Sequence, residues 1–164
     1  MQPKLSVITI VYNNVKDIER TMLSVLNQTY KNIEYIIIDG ASKDGTVEKI
    51  YNYKSRLTQF ISEPDKGIYD AMNKGLALAT GDYVLFMNSG DEIYAPETVT
   101  EVFQSAASAD IYYGETEMFD EDWISLGQRR HHAPENFDWQ SFRYGMSISH
   151  QAIYVRRCLA EPFD

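Results

Sequence analysis

The sequence predicts an α/β fold in which a mostly parallel central sheet is flanked by helices. Apolar, β-branched runs alternate with segments whose apolar residues recur at helical spacing, and the runs are apolar on both faces. Strands that alternate with helices pair in parallel, because each helix carries the chain back across the sheet. With 164 residues and 44% hydrophobic composition, the chain is expected to form a single domain over 1–164.

Composition and charge exclude several classes of protein. The chain has 24 acidic and 15 basic side chains, and the net charge of −9 opposes binding to nucleic acid. Cys158 is the only cysteine, which rules out an internal disulfide. No apolar run reaches the length of a membrane span or follows a basic N-terminal region as in a signal peptide. We therefore predict a cytoplasmic protein.

The elements alternate regularly through the first half of the chain. The stretch 5–12 is apolar and β-branched, as a strand buried on both faces should be. Asn14 stands where an N-cap would begin a helix that runs to Asn27. The next predicted elements are a strand over 33–38 that ends at Asp39, a helix capped by Asp44, a short strand over 57–62, a helix over 68–79 ended by Gly81, and a strand over 83–87.

The pattern changes in the second half. Pro96 occupies a first helical position, and residues 111–113 are predicted as a strand. The buried positions predicted for the helix that Pro96 starts are Val99, Val102, Phe103 and Ala106. From Glu115 onward the hydrophobic periodicity weakens, so we predict loops that fold over a site or over the surface, followed by a late strand at 148–155.

Polar residues gather where the predicted strands end. Tyr12 and Asn13 follow the first strand, Asp39 the second, 63–65 the third and 88–91 the fourth. Each group taken alone is typical of a cap or a tight turn, because Asn, Ser, Gly and Asp are turn formers. The ends of parallel strands meet at one edge of the sheet, where α/β proteins bind ligands. Four such groups at one edge therefore favour a ligand site.

These stretches resemble a known family. The order SVITIVYNN, IEYIIIDGASKDGT and EPDKGIYDAMNKGLALATGDYVLFMNSGDE resembles the inverting, nucleotide-sugar-dependent glycosyltransferases of family 2, which have a Rossmann-like GT-A fold. The resemblance covers at least residues 5–95, and the spacing of its parts makes it specific. It implies a nucleotide-sugar-binding half over 1–95 and the start of an acceptor-binding half over 96–164. The implied activity is transfer of a sugar to an acceptor hydroxyl with inversion, in polysaccharide or glycolipid biosynthesis.

The resemblance also implies roles for individual residues. The first strand and its turn would line the nucleoside pocket, Asp39 would bind the nucleobase, and the loop at 65–70 would face the nucleotide and its phosphates. The implied nucleotide-sugar ligands are Thr9, Val11, Tyr12, Asn13, Asp39, Asp65, Lys66, Gly67, Asp70, Asn88, Ser89 and Gly90. The family's Asp-x-Asp metal motif falls on 88–91, which implies Mn²⁺ or Mg²⁺ as cofactor, with Asp91 as the anionic ligand and Asn88 as a weaker one.

This chain departs from the family pattern at the metal motif. Asn88 and Gly90 stand where the family often has acids. Mg²⁺ tolerates such a site, since one or two carboxylates, substrate phosphates and water usually hold it. The family's general base has no match here, so we expect it beyond Asp164 and expect a domain truncated at its C-terminus. His150 is a candidate contact to the donor or the acceptor.

The partners implied by the resemblance are a nucleoside-diphosphate sugar donor and a saccharide or lipid-linked acceptor. Peripheral association with the inner face of a membrane would involve the chain beyond Asp164.

Two other functions stay open. A non-catalytic nucleotide-sugar-binding module has the same site, and a haloacid-dehalogenase-like phosphatase also places an acid after an apolar strand. The phosphatase needs a second acid two residues after Asp39, where Ala41 stands.

Overall fold

The computed structural model describes residues 2–104, 109–130, 132–133 and 148–163. The helices are α1 (Ile18–Leu26), α2 (Thr46–Tyr51), α3 (Ile68–Leu78) and α4 (Thr98–Gln104). The strands are β1 (Leu5–Val11), β2 (Ile33–Asp39), β3 (Gln59–Ser62), β4 (Tyr83–Phe86), β5 (Ile111–Tyr113), β6 (Glu117–Phe119), β7 (Ser125–Gln128) and β8 (Ile153–Arg156). Short 3₁₀ helices cover Lys54–Arg56, His150–Ala152 and Arg157–Leu159.

Within the described residues, six strands form the main sheet in the order β3-β2-β1-β4-β8-β5. The first four run parallel, and β8 is antiparallel to both of its neighbours. The predicted α/β fold with a mostly parallel sheet is therefore confirmed. The register places Val11 beside Asp39 and Asp39 beside Ser62, so β1, β2 and β3 end level with one another. The turns that follow these strands meet at one edge.

Apolar side chains cover both faces of this sheet, as expected for parallel strands. One cluster joins β1, β2 and β4 to α1, and includes Leu5, Val7, Ile18, Met22, Ile37 and Leu85. The other lies under α3 and includes Ile8, Ile10, Ile36, Ile38 and Met72. A Cβ atom at Gly75 would lie 2.3 Å from Ile8 Cγ2, so this glycine allows α3 to pack closely on β1.

A buried carboxylate fixes the amino edge of the sheet. Glu34 is 3% exposed and accepts hydrogen bonds from the Ser6 hydroxyl, the Thr80 hydroxyl at 2.6 Å and the Gly81 amide at 2.9 Å. Lys4 forms an ion pair with Glu34, and its Nζ lies 2.6 Å from Glu34 Oε2. Burial raises the pKa of Glu34, but the hydrogen bonds from Lys4, Ser6 and Thr80 outweigh it and lower the pKa to about 2. This charge joins β1, β2 and the turn before β4.

Several predicted boundaries need correction. Asn14 does not cap α1 directly, because residues 15–17 form a turn first; its Oδ1 accepts from the Asp17 amide at 3.3 Å and its carbonyl from the Ile18 amide at 3.1 Å. Asp44 lies one residue before the N-cap of α2, which is Gly45. The helix predicted from Pro96 begins at Thr98, and Ala106 lies outside the described residues.

The largest error concerns the segment after Glu115, which was predicted as loops. Strands β6 and β7 form an antiparallel hairpin there, with a register shift between Met118 and Phe119. Their side chains are largely exposed, so no alternation of buried and exposed residues marks them in the sequence. The predicted late strand at 148–155 is shorter than expected, because His150–Ala152 forms a 3₁₀ helix before β8. None of the helices described between residues 2 and 163 has the length and apolar character needed to cross a membrane.

Candidate active site

Asp39 organises the turn after β2. Its side chain is fully buried, and it accepts hydrogen bonds from the amide of Ser42 at 3.0 Å, the hydroxyl of Ser42 and the hydroxyl of Ser62 at 2.6 Å. Ser42 Oγ in turn accepts from the amide of Asn13 at 2.7 Å, and Asn13 Oδ1 accepts from the amide of Lys43 at 2.8 Å. The turns after β1 and β2 are therefore joined through one carboxylate and one hydroxyl.

Tyr12 and Asp65 approach each other across Gly40. A Cβ atom at Gly40 would lie 2.6 Å from Asp65 Oδ2 and 3.1 Å from Tyr12 Cδ2. Any larger residue at this position would displace the Asp65 carboxylate or the tyrosine ring. The ring of Tyr12 is 66% exposed, so this apolar face is open to a planar ligand. The structure thus brings the ends of β1, β2 and β3 together as the sequence predicts.

The loop before α3 is held in a fixed turn. Asp65 Oδ1 accepts from the Gly67 amide at 2.9 Å, and Asp70 Oδ2 accepts from the Lys66 amide at 3.1 Å. Gly67 has φ of 119°, which a side chain would disfavour. The hydrogen bond from the Lys66 amide is the main cause of the lowered pKa of Asp70, and Lys74 contributes from 3.4 Å. Two carboxylates and the exposed Lys66 ammonium lie at this corner.

The turn after β4 is fastened to β1 and α1. The Ser89 amide donates to the Ile10 carbonyl at 3.0 Å, and the Asn14 side-chain amide donates to Ser89 Oγ at 3.0 Å. Gly90 adopts φ of 109°, and its amide donates to the Thr21 hydroxyl at 2.9 Å. These contacts leave little freedom in the backbone that carries Asn88 and Asp91. We call residues 88–91 the β4 turn.

Opposing effects act on the pKa of Asp91. Burial raises the pKa of its carboxyl group, while the charge of His150 and a hydrogen bond from Gln151 Nε2 at 3.4 Å oppose that rise. Asn88 Nδ2 lies 3.0 Å from His150 Nε2. Gln151 follows His150 directly in the sequence, so one short segment brings both side chains to the β4 turn.

The residues around Asp91 include oxygen atoms that fit a divalent cation. Asn88 Oδ1 is buried and has no hydrogen-bond partner among the described residues. Such an unsatisfied oxygen is costly unless something binds it, and amide oxygens are suitable ligands for Mg²⁺ and Mn²⁺. Across the described ranges, no three His, Cys, Asp or Glu side chains form a complete metal cluster. Glu92 is engaged elsewhere, since its Oε1 lies 3.1 Å from Arg20 Nε.

Two of the predicted ligands have buried side chains. The side chain of Thr9 is fully buried, and its hydroxyl lies 2.9 Å from the Tyr35 hydroxyl. Val11 is buried in the cluster that faces α1. Both residues belong to a strand enclosed on both faces, so their side chains do not line the edge in this structure. The Val11 carbonyl accepts from the Gly40 amide at 3.0 Å and is also occupied.

A cavity of about 740 Å³ opens beside the β4 turn, between it and the β6–β7 hairpin. Asp91 and Gly90 form its inner wall, and residues of the hairpin form its outer wall. Arg20 connects the two, because its guanidinium Cζ lies 3.3 Å from the centre of the Trp123 ring while its Nε meets Glu92. Sequence analysis predicted neither the role of Arg20 nor the hairpin. A cation–π contact between segments far apart in the chain leaves no local sequence pattern.

The family model for Glycosyl transferase family 2 matches residues 6–160. The chain belongs to glycosyl transferase family 2. It is similar to an uncharacterized glycosyltransferase of Mycobacterium tuberculosis, with 36% identity over 93% of this chain and 58% of that protein. It is also similar to a PGL/p-HBAD biosynthesis glycosyltransferase of Mycobacterium bovis, with 29% identity over 96% of this chain and 60% of that protein. The chain thus spans about three fifths of the length of these relatives.

Solved structures of other proteins have a similar fold. TarS of Staphylococcus aureus, residues 1–349 in complex with UDP-GlcNAc, matches with a TM-score of 0.55 and 29% identity, over 60% of this chain and 29% of TarS. The mannosyltransferase PcManGT of Pyrobaculum calidifontis, in complex with GDP-Man and Mn²⁺, matches with a TM-score of 0.62 and 23% identity, over 70% of this chain and 36% of that one. This family 2 chain therefore has the GT-A fold, as predicted.

Proposed function

We propose that this family 2 chain binds a nucleoside-diphosphate sugar at the carboxyl edge of its sheet, and that the enzyme it belongs to transfers the sugar to an acceptor hydroxyl with inversion. The observation that carries the proposal is that Asp39, Asp65 and Asp91 lie at or just beyond the carboxyl ends of three parallel strands, β2, β3 and β4. Support also comes from TarS, which is 29% identical and was solved with UDP-GlcNAc.

The nucleoside would lie at the Tyr12 and Asp39 end. The exposed face of the Tyr12 ring can stack on a base or ribose, and Asp39 can accept a hydrogen bond from a ring N–H. In this structure the Ser42 hydroxyl donates a hydrogen bond to Asp39, so a bound base would replace that hydroxyl as the donor. One donor would be exchanged for another, so the buried carboxylate would stay satisfied.

The diphosphate would lie between Lys66 and the β4 turn. Lys66 supplies an exposed positive charge, and Asp91 with Asn88 Oδ1 would hold Mg²⁺ or Mn²⁺. When bound, the cation stabilises the negative charge that grows on the leaving nucleoside diphosphate. His150 orients the Asn88 amide through the 3.0 Å contact, and the tight backbone at Gly90 allows close approach of the donor. The general base is proposed to lie beyond Asp164, outside the described residues.

The biological setting follows as part of the same proposal. The relative named PGL/p-HBAD biosynthesis glycosyltransferase supports a role in glycolipid or polysaccharide synthesis. We place the enzyme in the cytoplasm, at the inner face of the membrane where its acceptor is carried on a lipid.

The phosphatase alternative loses support, because Asp39 is buried under three donors and cannot reach a substrate phosphorus without leaving them.

The test is thermal unfolding of the chain with UDP, GDP and their sugar derivatives, with and without Mn²⁺. A ligand that binds only the native state raises the melting temperature according to its concentration and affinity. We expect one nucleoside diphosphate to stabilise the protein and Mn²⁺ to increase the effect. Absence of stabilisation by every nucleotide would overturn the proposal, and release of phosphate from small esters would favour the phosphatase. Donor binding by an enzyme of full length that never turns the donor over would favour the binding module.

A further inference from the structure

The cavity beside the β4 turn has a lining that selects ligands by charge. We call it the hairpin cavity; it lies between the β4 turn and the β6–β7 hairpin and has a volume of about 740 Å³. The residues that carry the inference are Asp91, Tyr94, Glu115, Glu117, Phe119 and Asp120, all of which line it. The volume is sufficient for one or two sugar rings and lies within the range of small-molecule sites.

Carboxylates dominate the charged lining. Asp91, Glu92, Glu115, Glu117 and Asp120 contribute acids, and among the described lining residues Arg129 is the one Lys or Arg. Arg129 donates from Nη1 to Ser149 Oγ at 2.5 Å and keeps its positive charge, which the carboxylates outnumber. Glu92 is paired with Arg20. Among the described residues, Glu115 has His132 Nδ1 at 3.6 Å but no Lys or Arg, and Glu117 has no cationic partner within ion-pair distance. The charge that the described lining residues present to a ligand is therefore mostly negative.

Aromatic rings supply the remaining recognition surface. Tyr94 is 77% exposed and Phe119 is 40% exposed, and both line the cavity. Phe119 is held in place, since it stacks on Trp123 with ring centres 5.3 Å apart, and Trp123 is itself fixed by Arg20. Aromatic faces pack against the C–H groups of sugars, and carboxylates accept hydrogen bonds from their hydroxyl groups. This combination is suited to a neutral saccharide.

We propose that the hairpin cavity binds the acceptor as an uncharged saccharide and rejects acidic sugars, with Glu115 and Glu117 determining that specificity. The proposal rests on the proposed function, because an acceptor in this cavity faces Asp91 at the site where the donor would end. A carboxylate or phosphate on the acceptor would be placed near Glu115 and Glu117, neither of which has a Lys or Arg partner among the described residues. Repulsion between like charges at a partly exposed site is sufficient to weaken binding by roughly tenfold for each such charge.

The experiment compares matched ligands that differ only at C6. Methyl glycosides of glucose, galactose and mannose are each paired with the corresponding uronic acid, and binding to the protein is followed by saturation-transfer NMR at neutral pH. We expect at least one neutral glycoside to bind, and its uronic acid to bind roughly tenfold more weakly. Equal or tighter binding of the uronic acid overturns the proposal, and so does absence of binding by every neutral glycoside.

A second comparison assigns the effect to the two acids. In the Glu115→Gln/Glu117→Gln variant, the preference for the neutral glycoside should fall about tenfold, while the shape of the cavity is kept. Glu121→Gln is the matched control, because Glu121 is exposed on the same hairpin and does not line the cavity. An unchanged preference in the double variant contradicts the role of Glu115 and Glu117. Nucleotide-dependent thermal stabilisation, measured on the same samples, reports separately on the proposed donor site.

Discussion

Asn88 and His150 are 62 positions apart in the chain, yet Asn88 Nδ2 lies 3.0 Å from His150 Nε2. The contact joins the turn after β4 to the short helix before β8, which also delivers Gln151 to Asp91. The side chains around the proposed metal position therefore come from two segments that are far apart in the sequence. This arrangement makes the β4 turn a sensitive place to test the proposed chemistry.

The first prediction concerns the charge at Asp91. Asp91→Asn keeps the shape of the side chain and removes its charge, so it should abolish the part of nucleoside diphosphate binding that depends on Mn²⁺. Asn88→Asp adds a second carboxylate and should tighten Mn²⁺ in the presence of the nucleotide. Calorimetric titration of the metal into each nucleotide complex measures both effects. Equal metal affinity in wild type and both variants would show that the cation binds elsewhere.

The raised pKa of Asp91 gives this site a pH dependence. A carboxyl group must lose its proton to bind a cation, and burial moves the pKa of Asp91 upward despite His150 and Gln151. Metal-dependent binding should therefore fall, as the pH is lowered, at a higher pH than expected for an exposed aspartate. The measurement is Mn²⁺ affinity against pH in the presence of nucleotide. The same measurement on the Asn88→Asp variant provides the comparison. A Mn²⁺ affinity of the wild type that falls only in the pH range of an ordinary aspartate contradicts the prediction.

The second position to test is Asp39. Asp39→Asn should weaken nucleoside diphosphate binding with or without metal, by about 1.5–3 kcal/mol, because a charged acceptor for a ring N–H is lost. Asp82→Asn is the matched control, since Asp82 accepts from the Lys4 amide at 2.8 Å at the opposite edge of the sheet. Calorimetry with nucleotide in the absence of metal isolates the base contact. Full affinity in the folded Asp39 variant would contradict the assignment.

Glu34 predicts how stability depends on acid. Its pKa is lowered to about 2 in the folded protein, so its contribution to stability is present above the pKa of the unfolded chain. That contribution is lost as the pH falls from about 4.5 toward 2. Glu34→Gln should lower the free energy of unfolding at neutral pH by about 2 kcal/mol and flatten its fall in acid. Urea unfolding from pH 7 to pH 2.5 measures both, and parallel curves for wild type and variant would contradict the prediction.

The contact between Arg20 and Trp123 predicts a coupling between α1 and the hairpin. Trp123 has φ of 61°, which is unfavourable for a bulky residue and indicates that its ring position is held by contacts such as that with Arg20. A double-mutant cycle of Arg20→Ala and Trp123→Ala should give a coupling energy of about 1 kcal/mol in thermal unfolding. The more exposed pair of Lys54 and Tyr51, at 4.9 Å, is the control and should couple more weakly. Equal coupling in both pairs would show that the stacking does not fix the hairpin.

The sequence predicts the parallel half of this fold well because its signals are local. Strands such as β1 are continuous apolar runs, and the polar residues that end them identify the ligand edge. The hairpin lacks such a signal, since its short strands are largely exposed. The enclosure of Thr9 by Tyr35 and the meeting of Arg20 with Trp123 depend on segments far apart in the chain. Such details require the three-dimensional packing and cannot be obtained from spacing.

The position of β8 has a consequence for the synthesis of the protein. As the chain leaves the ribosome, β1 to β4 emerge first and can pair with one another, but one side of β4 stays open. Only β8, which emerges after the hairpin, covers that side and gives β5 a partner. Unpaired strand edges promote aggregation, so the nascent chain is most vulnerable while residues between β4 and β8 are being added. Slowing translation in that interval should increase its demand for chaperones.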